Sequence, residues 1–206
     1  MQFSGFHVLG FLLLLAGVGL LIGAMATNYW QQSCRGDDCW YNEGLWETCY
    51  LQSSVFSFKP GCYNRFKSTL DDIQKSTTVG EAGESIKNQF RTLEIVTMSL
   101  IGSGTLMALI SLLTSPCCCT RCGWGLVSEI FLAFLCCGAA VGVYGHYVQS
   151  DDNKFKKLNL VPESMLEAYG YSYWLAVGGC GGLLLSCIVF SIARCRERYI
   201  GYSHAI

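Results

Sequence analysis

Residues 8–26 read VLGFLLLLAGVGLLIGAMA, an apolar run without a charged side chain, and this run decides the fold. Residues 95–114 and 174–193 are likewise free of charge, and residues 125–148 form a fourth apolar stretch with one ionisable residue near each end. Each stretch approaches the roughly 20 residues with which a helix crosses about 30 Å of hydrocarbon. Backbone groups in lipid must be satisfied within the segment, and strand-like alternation is missing from all four stretches. The sequence therefore predicts an all-α transmembrane four-helix bundle.

The composition agrees with a membrane protein. Of the 206 residues, 51% are hydrophobic and 14% are charged, whereas soluble domains carry roughly 25% charged residues. The net charge of -1 gives no basic face that could hold a nucleic-acid backbone. We therefore exclude nucleic acid and expect the lipid bilayer and other membrane proteins as partners.

Four spans place both termini on one side of the membrane. They leave outer loops at 27–92 and 149–172, an inner link at 115–124 and a tail at 194–206. Arginines in the link and the tail indicate that these segments are cytoplasmic, although three lysines in the second outer loop weaken the charge signal. We expect a multi-pass protein of the plasma membrane with both termini in the cytoplasm.

The first span also carries one feature of a secretory signal peptide. Ala24 and Ala26 flank Met25 in a small-x-small arrangement that is typical of cleavage sites. Residues 1–7 contain no Lys or Arg, however, and the apolar run is as long as a spanning helix. We expect the segment to be retained as an anchor.

The first outer loop is rich in residues that favour strands. These residues are Trp40, Tyr41, Trp46, Tyr50, Val55, Phe56 and Phe58. Gly44 and Pro60-Gly61 supply turn signals between them. We predict a small extracellular antiparallel β-sheet in this loop. Residues 81–92 predict an amphipathic helix that leads into the second span.

The cysteines divide by position. Those of the first outer loop are Cys34, Cys39, Cys49 and Cys62, and an even number in an exposed loop fits two disulfides in an oxidising compartment. Those beside the predicted inner ends of the spans are Cys117, Cys118, Cys119, Cys122 and Cys195. We predict S-acylation for this inner set, with inert thiols as the alternative. The inner set lacks the second spaced pair or the histidines of a zinc site.

Small residues recur inside the spans. Glycines four residues apart are Gly19 with Gly23, Gly138 with Gly142, and Gly178 with Gly182. This spacing allows helix backbones to approach closely, either within the bundle or against a neighbouring subunit. The intramembrane cysteines, which are Cys136, Cys137, Cys180 and Cys187, are expected to act as small packing residues.

An ordered motif runs along the first outer loop. It consists of Trp30, then Gly44-Leu45-Trp46, then Cys49 and Cys62, with Arg91 just before the second span. At this place in a four-span chain, the motif resembles that of the claudin superfamily. That superfamily comprises claudins, the peripheral myelin protein and epithelial membrane protein group, the lens membrane protein group and the gamma subunits of calcium channels. The resemblance extends over essentially the whole chain.

The resemblance implies a left-handed bundle capped by an extracellular sheet in which Cys49 is bonded to Cys62. For Cys34 and Cys39 we predict a second, local disulfide. We expect the motif residues Trp30, Gly44, Leu45, Trp46 and Arg91 to hold the fold and to touch no partner.

The resemblance also implies a role for each motif residue. Trp30 and the Gly44-Leu45-Trp46 turn would anchor the sheet to the membrane surface, where indole rings are favoured. Arg91 would cap the outer end of the bundle. Ion-selective claudins carry charged residues beside the two loop cysteines, whereas Tyr50 and Tyr63 stand there in this chain. A charge-selective pore is therefore disfavoured, and sealing or adhesion remains open.

Two functions from different classes fit this architecture. The first is a structural protein of cell contacts or barriers, which binds neighbours through the sheet and packs laterally through its spans. The second is an auxiliary subunit of an ion channel or receptor. We expect no enzyme, no cofactor and no metal site, because the three histidines are scattered and no HExxH, GxSxG or GxxxxGK[ST] arrangement occurs.

Two further features carry charge, one within a span and one in the second outer loop. Glu129 lies about one turn inside the third span, where we expect it to pair with Arg121 or Arg194 instead of marking an ion path. In the second outer loop, the candidate partner contacts are Phe155, Lys156, Lys157 and Leu158. This cluster either packs back on the sheet or faces another protein.

Overall fold

The computed structural model describes residues 5–35, 38–51, 61–64, 81–115, 123–157 and 166–203. The helices are α1 (Gly5–Ala26), α2 (Glu81–Thr114), α3 (Gly123–Lys157) and α4 (Tyr171–Ser203). The strands are β1 (Gln31–Arg35), β2 (Asp38–Glu43), β3 (Glu47–Tyr50), β4 (Gly61–Asn64) and β5 (Leu166–Tyr169).

All four helices are long and apolar enough to cross a membrane. The candidate spans are Gly5–Ala26, Ile95–Thr114, Trp124–His146 and Tyr171–Arg196, which confirms the four predicted spans. Large apolar side chains on their outer faces are exposed, among them Leu12, Leu106, Leu135 and Leu185. Exposed leucine of this kind within a span contacts lipid acyl chains, so the chain is a multi-pass membrane protein.

Two helices continue beyond their spans. α2 begins at Glu81, in agreement with the helix predicted for residues 81–92. α3 runs to Lys157, beyond the end of its candidate span at His146, so the segment predicted as the second outer loop begins as a continuation of the helix. Outside the membrane, water can form hydrogen bonds with the backbone, so polar residues are compatible with a helix and with a loop. Hydropathy alone therefore did not predict where α3 ends. Leu158 lies outside the described residues.

The chain divides into two compact units. The first comprises Met1–Ile22, Ser99–Ala139 and Leu175–Ile206, and its described residues are helical except for the turn at Ser115. The second comprises Gly23–Met98 and Ala140–Trp174, and it contains the sheet.

In the first unit, glycines bring α1 and α4 together. A Cβ on Gly182 would lie 2.9 Å from Cα of Gly17, and a Cβ on Gly17 would lie 3.1 Å from the carbonyl oxygen of Gly179. Ser186, which is fully buried, donates its hydroxyl to the carbonyl oxygen of Gly10 at 2.9 Å. The backbones therefore touch directly and are joined by a buried hydrogen bond.

The remaining helices of this unit pack in the order α1, α4, α3, α2. The Cys187 thiol on α4 donates to the carbonyl oxygen of Val127 on α3 at 3.7 Å. On α2, a Cβ added to Gly104 would lie 2.5 Å from Sγ of Cys137 on α3. Cys137 and Cys187 thus fill narrow gaps between helices, as predicted for small packing residues.

The predicted glycine pairs differ in their surroundings. Gly182 contacts α1 and Gly178 lies in ordinary contact with the Leu20 side chain, whereas a Cβ at Gly19, Gly138 or Gly142 would meet nothing within 4 Å. Spacing alone does not tell which face of a helix meets a neighbour, so it did not separate the packed glycines from the open ones.

In the second unit, five antiparallel strands form one sheet in the order β4-β3-β2-β1-β5. The first outer loop provides four strands, which confirms the predicted sheet. The fifth strand, β5, comes from the second outer loop and pairs with β1, with Gln31 opposite Tyr169. The sequence did not predict β5, because its four residues include Glu167 and Ala168, which strands disfavour.

The α1–α4 contact makes a prediction for stability. Gly182→Ala would place a methyl group against the backbone of Gly17, and overpacking of this kind costs about 1–3 kcal/mol. We expect a lower midpoint of thermal unfolding in mild detergent. Gly138→Ala, on an open face, is the matched control and should leave the midpoint nearly unchanged. Equal midpoints for both variants would contradict the α1–α4 contact.

Candidate functional site: the clamp between the first helix and the sheet

The last turn of α1 ends in carbonyl groups that have no partner within the helix. The last four carbonyls of any helix need other donors, and in an apolar setting water does not supply them. Here the carbonyl oxygen of Gly23 accepts a hydrogen bond from Oγ1 of Thr27 at 2.8 Å. Those of Ala24 and Met25 accept from the indole Nε1 of Trp30 at 2.7 Å and of Trp46 at 2.8 Å. We call Trp30 and Trp46 the indole clamp.

Trp30 is enclosed by protein. Its relative exposure is 0%, and its ring packs edge-on against Tyr144 with centroids 5.0 Å apart and against Tyr173 at 6.3 Å. Its backbone N–H donates to the carbonyl oxygen of Glu43 on β2 at 2.8 Å. The residue thus joins the end of α1 to the start of the sheet through both its backbone and its side chain.

The Gly44-Leu45-Trp46 segment is the turn between β2 and β3. The N–H of Gly44 donates to the carbonyl oxygen of Glu47 at 2.8 Å, which closes the turn around Leu45 and Trp46. Leu45 is buried, while Trp46 is 39% exposed and reaches back to α1. A Cβ on Gly44 would come within 2.6 Å of Cα of Asn28, so only glycine allows the turn to lie on this backbone.

Glu47 adds a polar contact beside the clamp. Its Oε2 accepts a hydrogen bond from Nδ2 of Asn28 at 3.0 Å. The start of β3 is thereby tied to the segment that leaves α1. The turn is held on one side by an indole and on the other by a carboxylate.

Ser172 forms a second junction, between the segment after α1 and the start of α4. Its hydroxyl lies 2.6 Å from Oγ1 of Thr27 and accepts from the N–H of Tyr29 at 3.2 Å. Its own N–H donates to the carbonyl oxygen of Tyr29 at 3.1 Å. The rings of Tyr29 and Tyr171 stack with centroids 4.7 Å apart. Ser172 therefore satisfies backbone groups of two segments while fully buried.

Gly170 permits this second junction. Its N–H donates to the carbonyl oxygen of Trp30 at 3.0 Å. A Cβ at this position would overlap the carbonyl oxygen of Tyr29. β5 and α4 can meet the Tyr29–Trp30 segment only because residue 170 carries no side chain.

The Cys49–Cys62 disulfide joins β3 to β4, where the two residues stand directly opposite each other. The predicted pairing is confirmed. A carboxylate oxygen of Glu47 lies near both sulfur atoms, but sulfur atoms bonded to each other offer no thiolate to a metal.

The structure locates the other predicted residues only in part. Cys34 and Cys39 stand opposite each other in the register of β1 and β2, at a bulge, and their side chains lie outside the described part of the chain. Arg91 lies within α2, again with its side chain outside that part. The same holds for Phe155, Lys156 and Lys157 at the end of α3.

The inner cysteines are only partly described. Cys117, Cys118, Cys119 and Cys122 lie outside the described residues. Cys195 is on α4, and its thiol is free and exposed.

The family model that matches this sequence is Clc-like, over residues 4–199. The chain belongs to the Clc-like family. This is a family of four-span membrane proteins related to claudin-type proteins. A comparison with curated proteins gave no match.

In this Clc-like chain, three motif residues, Trp30, Gly44 and Trp46, meet the end of α1 or the segment that follows it. Thr27, Gly170 and Ser172 contact the same part of the chain. Sequence reasoning missed these three because no short motif marks them. A weak signal does exist, since Thr27 follows directly on an apolar run and Gly170 and Ser172 immediately precede another. Small and hydroxyl residues at the ends of spans are therefore worth testing as junction residues in other Clc-like chains.

The indole clamp makes a prediction for stability. Trp30→Phe keeps an aromatic ring but leaves the carbonyl of Ala24 without its donor, which costs about 1–3 kcal/mol. We expect the thermal midpoint in detergent to fall by several degrees. Trp174→Phe is the matched control, since Trp174 is 60% exposed and should change the midpoint little. A midpoint for Trp30→Phe equal to that of the wild type would rule out the clamp as a source of stability.

Proposed function

We propose that this Clc-like chain is a non-enzymatic membrane protein that builds cell–cell contacts or barriers through its outer sheet and the lateral packing of its spans. The observation that carries the proposal is the clamp. Side-chain hydrogen bonds tie Trp30, the residue before β1, and the β2–β3 turn to the last turn of α1. These elements are therefore held in one orientation to each other. A surface held in one orientation loses little entropy when it binds a neighbour.

The disulfide supports an extracellular position for the sheet. Disulfides persist in oxidising compartments and are rare in the cytosol. With the sheet outside, the inner link and the tail face the cytoplasm, where Arg194 and Arg196 satisfy the bias of positive charge towards that side. We therefore propose the plasma membrane, with both termini inside and cell junctions as the site of action.

The proposed contact surface has an apolar and a basic part. Leu51, which directly follows β3, is 50% exposed. Lys156 and Lys157 end α3 within the same unit as the sheet. Exposed apolar groups anchor protein interfaces, whereas charges at the rim mainly change association rates.

A second candidate function is an auxiliary subunit of an ion channel or receptor. Gly138 and Gly142 favour it, because both lie on an open face of α3. Open glycines four residues apart allow the backbone of another transmembrane helix to approach closely. In this role the sheet would lean on a pore-forming partner instead of a neighbouring cell.

Expression in adhesion-deficient cells tests the contact role. We expect the tagged wild-type chain to concentrate where two expressing cells touch. Leu51→Glu should reduce this enrichment because it places a charge in the apolar part, and Leu51→Met is the matched control that preserves it. Lys156→Glu with Lys157→Glu should slow enrichment without lowering surface expression.

The same cells separate the two candidate functions. Diffuse surface labelling of the wild type, with no enrichment at contacts, would contradict the adhesion role. Relocation of that diffuse label when a channel subunit is supplied would instead support the auxiliary role. Retention of Leu51→Glu inside the cell would show a folding defect, so surface biotinylation is measured for every variant.

Acylation makes a separate prediction. Replacing Cys117, Cys118, Cys119 and Cys122 by Ser should remove most hydroxylamine-sensitive lipid, and Cys195→Ser should remove the rest. Cys187→Ser is the matched control, because Cys187 is buried within the helices. Each buried methylene contributes about 0.8 kcal/mol to membrane affinity. Because the four spans already hold the chain in the membrane, loss of lipid should alter lateral sorting and not membrane residence. Wild-type protein free of thioester-linked lipid would end this idea and weaken the assignment of the link to the cytoplasm.

A further inference from the structure

Glu129 is an exposed carboxylate within the third candidate span. It lies five residues beyond Trp124, the first residue of that span, and so about 8 Å along the helix. Its Oε2 atom accepts a hydrogen bond from Oγ of Ser111 on α2 at 3.4 Å, which is long for a hydroxyl donor. Among the described residues, the carboxylate of Glu129 contacts Ser111 and not Arg194, with which we expected it to pair.

A carboxylate at this position needs more than one long hydrogen bond. Acidic side chains in lipid are costly, and they normally pair with a cation or line a water-filled path. The side chain of Glu is shorter than those of Lys and Arg, which limits its reach towards the headgroups. The other predicted partner, Arg121, lies outside the described residues.

Glu129 belongs to a continuous exposed strip on α3. The strip consists of Gly125, Ser128, Glu129 and Leu132, all of them exposed and spaced at i, i+3, i+4 and i+7. A Cβ on Gly125 would meet nothing within 4 Å, and the hydroxyl of Ser128 is turned back to the carbonyl oxygen of Gly125 at 2.8 Å. Two small residues beside the carboxylate leave room for the backbone of another helix.

We propose that this strip docks a transmembrane helix of another protein that carries one Arg or Lys at the depth of Glu129. Charge complementarity and the small residues both favour such a helix. A second copy of this chain is a poorer fit, because the Lys and Arg residues within its candidate spans are Arg194 and Arg196. Both already make contacts, and the Arg196 guanidinium lies over the ring of Phe6 at 5.6 Å. The proposal does not depend on the role of the outer sheet.

Two synthetic peptides test the proposal. One is a leucine-rich span of about 22 residues with a single Arg five residues from its dansyl-labelled end, and the other has Leu in place of that Arg. The full chain is reconstituted in phosphatidylcholine vesicles, and energy transfer from tryptophan to dansyl is measured. Trp124 lies about 8 Å along α3 from Glu129 and serves as the nearby donor.

We expect the wild type to bind the Arg peptide roughly five- to thirty-fold more tightly than the Leu peptide, the range for a polar contact between helices. Glu129→Gln should abolish this preference, whereas Glu129→Asp should keep it. Ser128→Ala, the matched control beside it, should also keep it. Trp124→Phe should remove most of the peptide-specific transfer, which places the peptide on the strip.

Three results would overturn the proposal. Equal binding of both peptides by the wild type and by Arg121→Gln shows that the strip does not recognise a cation. A preference that appears only in Arg121→Gln shows that Glu129 is paired within its own chain. Loss of association between copies in Glu129→Gln, without any preference for the Arg peptide, assigns the strip to contacts between copies.

Discussion

The end of α1 imposes the constraint on which the sheet depends. The last carbonyl oxygens of an apolar helix that ends near the membrane surface need hydrogen-bond donors from outside the helix. In this chain the side chains of Thr27, Trp30 and Trp46 are these donors. Two of these donors are indoles, which have a single N–H and no acceptor. The bond from Trp30 is buried, whereas that from Trp46 is exposed. Because Trp46 lies in the β2–β3 turn, bonding the helix end also fixes the turn. The disulfide then extends this fixation from β3 to β4.

Close approach of backbones is the complementary requirement. Gly44 lies on the backbone of Asn28, and Gly170 lies on that of Tyr29. Within the helices, Gly17 and Gly182 meet in the same way. At each position a methyl group would occupy the space of a main-chain atom, which cannot move aside as a flexible side chain can. The same residue type thus solves one steric problem in the sheet unit and again in the helical unit.

The sequence predicts features that depend on composition over many residues. It does not predict which strands pair or which face of a helix meets a neighbour. The spans followed from apolar length, and the Cys49–Cys62 pairing followed from a family resemblance. By contrast, the strand β5 depends on pairing with β1 that local propensity does not encode. The extension of α3 to Lys157 lies beyond the apolar run from which the span was predicted. The glycines illustrate the same limit, because Gly138 and Gly182 look alike in sequence while one is open and the other is packed.

β5 has a consequence for how the sheet can associate with other proteins. Without it, β1 would present an unpaired edge, and unpaired edges pair readily with foreign strands. β5 covers that edge and is itself tied to α3, since the Tyr169 hydroxyl donates to the carbonyl oxygen of Gly145 at 2.9 Å. At the opposite edge, the disulfide holds β4 to β3. Both outer strands, β4 and β5, are thus bonded to neighbouring elements, so a strand of another chain cannot readily displace either of them from the sheet.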